Sequence, residues 1–237
     1  MTSRQTPAPP QVGEARPSSV VGAAHVVLRP IASPLPLGFL VLAVATTAFA
    51  SVQLEWIPQT EGHTIALGVL VLTVPMQLLA AVMGYLARDP VAATGMGILS
   101  GTWGAVCLAT LTSPPGATSD GLGVILLASA GCLLFQAAAG WAKAVPALVM
   151  LTSGARFAVT GIAEIDGGHT WLHIAGWVGI ALAAISAYAA LALELEGAAS
   201  RTVLPLGRTG AARTAVEGGL DDQTASVATE PGVRQQL

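Results

Sequence analysis

The sequence predicts an all-α fold, a six-helix transmembrane bundle with disordered cytoplasmic tails, and three observations predict it. Of 237 residues, 53% are hydrophobic and 10% charged, with a mean hydropathy of +0.69, whereas soluble domains carry about 25% charged residues. Six apolar runs each approach the roughly 20 residues that cross about 30 Å of hydrocarbon. The Lys and Arg residues outside those runs all fall on the tails and on alternate connections.

The runs cover about 36–56, 65–87, 91–112, 121–140, 144–164 and 170–195, and define a transmembrane domain over 33–197. Breaks fall at Pro58 to His63, at Arg88-Asp89-Pro90, at Ser113-Pro114-Pro115-Gly116, at Trp141-Ala142-Lys143 and at Asp166-Gly167-Gly168-His169. Residues 1–32 and 198–237 are rich in Pro, Ser, Thr, Gly and charge without periodic apolar positions. Such segments bury too little apolar area to offset ordering entropy, so both read as disordered tails. The start, Met1-Thr2-Ser3-Arg4-Gln5, carries no apolar core of a signal peptide.

Arg4, Arg16 and Arg29 precede the first run, Arg88 and Lys143 fall in the second and fourth connections, and Arg201, Arg208, Arg213 and Arg234 follow the last. The other connections and their edges hold Glu55, Glu61, Asp120, Glu164 and Asp166 without a Lys or Arg. The positive-inside rule then puts both termini in the cytoplasm of a multi-pass protein of the plasma (inner) membrane.

Within the spans, Gly97 and Gly101 make a small-xxx-small pair of the kind that lets helices approach closely, inside one bundle or between protomers. Cys107 and Cys132 read as small buried thiols. Arg156 is the one basic residue inside a span. A cation there costs several kcal/mol unless it meets a counter-charge, carbonyls or water, which marks it as a functional candidate. Thr152, Ser153 and Thr160, at i−4, i−3 and i+4, put a polar stripe on its face. Glu164 lies about 12 Å further along the helix, too far for an ion pair, so a partner must come from another helix, water or a bound anion.

Ser33-Pro34-Leu35-Pro36-Leu37-Gly38 and the Thr46-Thr47 pair resemble the Asn-Pro-Ala-Pro-Leu-Gly signature and Thr-Thr pair of the acetate uptake transporter family, which includes the succinate-acetate permeases. Gln77-Leu78-Leu79-Ala80, the stretch Thr94 to Trp103, Gly176-Trp177-Val178-Gly179 and Tyr188 are similar to later stretches of that pattern, in order. Ser33, Gly84, Asp89 and Leu99 stand where the family carries Asn, Glu, Asn and Tyr, and its phenylalanine constriction falls near Leu42. The pattern has no counterpart of Arg156. The resemblance implies a homo-oligomer, hexameric in the family, with a pore through each protomer for acetate and related small carboxylate anions.

Pro34, Pro36, Gly38, Thr46, Thr47, Gln77 and Arg156 are therefore the candidate path residues. Each has a plainer role to set beside this one. Pro34 and Pro36 suit the first turn of any helix, although the same turn offers N–H groups to an anion. Gln77 can bond a neighbouring helix, Thr46 and Thr47 their own backbone, and Trp171, Trp177 and Tyr188 can anchor at the interfaces. Glu164, Asp166 and His169 are candidates for proton-linked uptake, although exposed acidic loops are ordinarily only solvated.

No catalytic triad, phosphate loop or metal-ligand cluster stands out, so no enzyme activity, catalytic residue, cofactor or nucleic-acid partner is expected. His169 and His173 are spaced i, i+4, but His169 falls in a loop and no carboxylate lies between them, so no metal is expected either. The alternative reading is a non-transporting membrane protein of the same fold, acting through its tail from Glu217 to Leu237.

Overall fold

The computed structural model describes residues 31 to 219. The tail expected over 1–32 lies outside the described residues except for its last two, as do residues 220–237. Among the described residues six helices are long and apolar enough to cross a membrane. They are α1 (Leu35–Gln53), α2 (Gly62–Leu86), α3 (Pro90–Thr112), α4 (Asp120–Ala139), α5 (Ala144–Asp166) and α6 (His169–Ala199), followed by the short α7 (Ala211–Glu217). Each long helix matches one apolar run to within a few residues.

Turn chemistry sets the ends. Asp89 caps α3 by accepting from Ala92 N at 3.1 Å, with Pro90 in the first turn where its missing N–H is harmless. Ser119 caps α4 through Leu122 N at 3.3 Å, and α5 stops at Gly167, whose φ of 68° suits a residue without Cβ. Each helix packs on its chain neighbours and α6 closes against α1, so the six form a ring.

Within the bundle, the closest approach of two backbones does not use the Gly97 and Gly101 pair. Gly101 faces outward with nothing within 4 Å of an added Cβ, and Gly97 meets only Ala81 at 3.8 Å. At Gly123 and Gly161 a Cβ would instead meet the other residue's carbonyl oxygen at 2.8 and 2.9 Å, which locks α4 onto α5. Cys107 is buried as expected, but Cys132 lies on the outward face of α4. In a ring every helix has such a face, and a thiol there meets lipid as readily as a core.

The chain beyond 197 also departs from the expected tail. At 31 residues α6 is about 46 Å long, well beyond the hydrocarbon thickness. Its end carries Glu196, which accepts from Arg208 Nε at 3.0 Å in an ion pair with little exposure. Leu206 is buried, Tyr188 Oη donates to Pro205 O at 2.9 Å, and Lys143 and Arg208 form an antiparallel bridge. Two apolar anchors, Leu204 and Leu206, and a few paired groups hold this segment, too few for hydrophobic periodicity to reveal it.

Candidate functional site

The ring encloses a cavity at each end. The larger, of about 250 Å³, opens at the end bearing Glu55, Glu61 and Asp166, and its lining includes Gln53, His63, Trp103, Arg156, Thr160 and Glu164. The smaller, of about 120 Å³, opens at the end bearing Asp89 and Lys143, which pair at 2.8 Å, and reaches inward to Phe39 and Met150. Between them lie Leu42, Ala45, Met96 and Leu99, all without exposure. Along α1 this apolar plug separates Phe39 from Phe49 by about 15 Å. Phe49, Trp103 and Phe157 floor the larger cavity as an aromatic cluster with centroids 5.4 and 5.8 Å apart.

Arg156 sits at this floor, 2% exposed. Its Nη1 donates to Ala175 O and its Nη2 to Gln53 Oε1, both at 3.2 Å, and its Cζ lies 5.8 Å from the Trp103 ring centroid. Gly179 makes the room: a Cβ there would collide with Nη1 and lie 2.7 Å from Cζ. Burying an arginine at a span's centre costs about 3 kcal/mol on insertion scales, and each hydrogen bond to a charged group returns about 1.5–3 kcal/mol. Neutral dipoles therefore hold the guanidinium without a counter-ion. They leave its net charge uncompensated, because among the described residues no carboxylate pairs with it. Two of its five N–H donors are engaged by these contacts.

The polar stripe around Arg156 is narrower than its spacing suggested. Ser153 is buried and Thr160 lines the cavity, but Thr152 is half-buried, does not line the cavity and bonds Leu148 O of its own helix at 2.8 Å. Of the acidic mouth, Glu164 lines the cavity and accepts from Ser119 N at 2.9 Å, whereas His169 bonds Glu55 at 2.7 Å and holds that carboxyl below the ordinary range.

The remaining sequence candidates scatter. Pro34 is the residue before α1, and Pro36 and Gly38 are buried at its start, where Gly38 leaves space for Met96 Sδ; Leu35 and Phe39 reach the smaller cavity instead. Thr46 is buried and donates to Gly179 O of α6 at 3.4 Å rather than to its own helix. Thr47 faces outward. Gln77 is fully buried, and neither amide atom has a protein partner, contrary to the helix-to-helix bond expected of it. Sequence reasoning missed Gln53 and the roles of Gly179 and Trp103. A tryptophan in mid-span, away from the interfaces where it is commonest, was the available signal for the last.

Six apolar helices closed into a ring define a multi-pass membrane protein. No family model matches the chain and no curated protein matches it significantly. Among solved structures, the bacterial acetate channel SatP is similar, with 24% identity, a TM-score of 0.66 and alignment over 75% of this chain and 99% of that one. The likeness defines the fold, which is the fold the sequence resemblance implied.

Proposed function

We propose that this chain is a channel or carrier of the acetate uptake transporter family, moving acetate and related small carboxylates across the plasma membrane. The observation that carries the reading is Arg156: a buried guanidinium with neutral partners, at the base of an open cavity. At 4 Å, in an effective dielectric of 20, a carboxylate gains about 4 kcal/mol from such a charge, and the forked donors suit its two oxygens. The fold shared with an acetate channel supports the same substrate class. The apolar plug around Leu42 and Leu99 is the barrier an anion has to pass between the two cavities.

The Arg88 and Lys143 end faces the cytoplasm under the positive-inside rule, which puts the Arg156 cavity on the outer side. Proton linkage through Glu164, the one acidic group of that mouth lining the cavity, is compatible with this orientation. As in the family, the protomer assembles as a homo-oligomer, a hexamer by that precedent.

The test is acetate flux in proteoliposomes at a pH where the substrate is ionised, so that leakage of the neutral acid is minor. Arg156→Gln abolishes saturable uptake with membrane expression intact, and Arg156→Lys, a point charge without the fork, keeps part of it. Unchanged uptake in Arg156→Gln removes the arginine from the mechanism.

A further inference from the structure

We propose that Glu55, His169 and His173 form a binding site for a divalent transition-metal ion of the zinc class, clamping the end of α1 to the start of α6. The fold changes both features that argued against a metal in the sequence. His169 is the first residue of α6 rather than part of a loop, so the i, i+4 pair shares one helical face. The missing carboxylate arrives from the α1–α2 connection, 114 residues away in sequence.

The three side chains can bring one ligand atom each within 4.8 Å of one another. Glu55 Oε1 lies 2.7 Å from His169 Nε2, and the two imidazole centroids are 4.4 Å apart. Around a tetrahedral zinc with bonds of 2.0–2.2 Å, neighbouring ligand atoms sit about 3.4 Å apart. The Glu55–His169 spacing is shorter than that value and no pair exceeds it by more than about 1.4 Å, so small side-chain rotations close the set. A second observation points to a ligand: His173 Nε2 is buried and has no hydrogen-bond partner. A buried ring nitrogen left this way is costly unless something accepts or supplies a bond.

The backbone beneath the carboxylate is also held in place. Glu55 occupies the left-handed region at φ 58°, fixed by Glu55 N to Val52 O at 3.0 Å and Trp56 N to Ser51 O at 2.9 Å. Leu54 packs against the bare face of Gly176, and Trp56 meets Trp177 edge-on at 6.1 Å. Two imidazoles and one carboxylate are the donor set of zinc and neighbouring late metals, not of magnesium or calcium, which take oxygen ligands. Three protein ligands leave one position open for water or an anion. The site adjoins Gln53 and Leu172, which line the larger cavity, but its existence does not depend on what crosses the bundle.

The experiment titrates the purified full chain, carrying an affinity tag free of histidine, with zinc chloride in calorimetry and thermal unfolding. Saturable binding of one ion per chain and a rise in unfolding temperature are expected, with magnesium chloride giving neither. His169→Ala, an exposed position whose loss leaves the bundle intact, weakens binding tenfold or more, and His173→Ala and Glu55→Gln weaken it likewise; roughly tenfold is the low end for disturbing a metal shell. Absence of saturable zinc binding, or binding that His169→Ala and Glu55→Gln leave unchanged, overturns the proposal.

Discussion

A methyl group added at Gly179 should dislodge the Arg156 anchor, because the new Cβ would occupy the place of Nη1 and lie 2.7 Å from Cζ. The guanidinium is the flexible end of a long side chain, so it moves rather than the backbone. In moving it gives up the bond from Nη1 to Ala175 O. A hydrogen bond made by a charged group is worth about 1.5–3 kcal/mol, which is roughly a ten- to hundredfold shift in the unfolding equilibrium. The next neighbour, buried Ala50 Cβ at 3.1 Å, must also give by a few tenths of an ångström, a strain that does not depend on the arginine. The assay is a double-mutant cycle by reversible denaturation in mixed micelles, with Gly179→Ala placed in the native background and in Arg156→Met. The loss should be larger in the first by a coupling of about 1.5–3 kcal/mol, the strain against Ala50 being common to both. Equal losses in both backgrounds, within about 0.5 kcal/mol, would show that Gly179 serves helix packing and not the arginine.

Two further substitutions test the interior. Gln77→Leu, which replaces an amide lacking protein partners, should raise unfolding stability by about 1–3 kcal/mol; a loss of stability would mean that the amide is satisfied by water. Gly161→Ala drives a Cβ to 2.9 Å from Gly123 O and should cost about 1–3 kcal/mol in the same denaturation assay, whereas Gly101→Ala, facing open space, should change the protomer's stability by no more than about 0.5 kcal/mol.

The spans were legible because bilayer thickness imposes a length that hydropathy registers directly, and helix ends such as Asp89-Pro90 and Gly167 announce themselves by cap chemistry. Arg156 was legible for the same reason, as a charge where apolar residues belong. Its partners were not. Gln53 is 103 residues away and Ala175 contributes only a backbone carbonyl, so no pattern of residue types points to either. Gly176 and Gly179 were visible as part of a family-like stretch, but not what they make room for, namely Leu54 and the guanidinium. Gly97 and Gly101 left two alternatives open for a physical reason: spacing identifies a smooth helix face without saying whether that face turns toward a neighbour within the bundle or outward. Thr152 was misplaced similarly, since i−4 and i+4 positions drift apart around a helix and only one need share the residue's environment.

The start of α5 has a consequence for how the protein is made. Lys143 gives that helix no side-chain cap; its first free N–H groups, at Ala144 and Val145, are met by Gly207 O and Leu206 O. The helix that carries Arg156 is thus completed by carbonyls from a part of the chain synthesised well after it. A ribosome that stopped just beyond α6 would deliver all six spans to the bilayer while leaving this helix frayed at its first turn. Completion of the arginine helix becomes a readout of chain length, so a prematurely terminated product differs from the finished one at the base of the ring and not merely at its end.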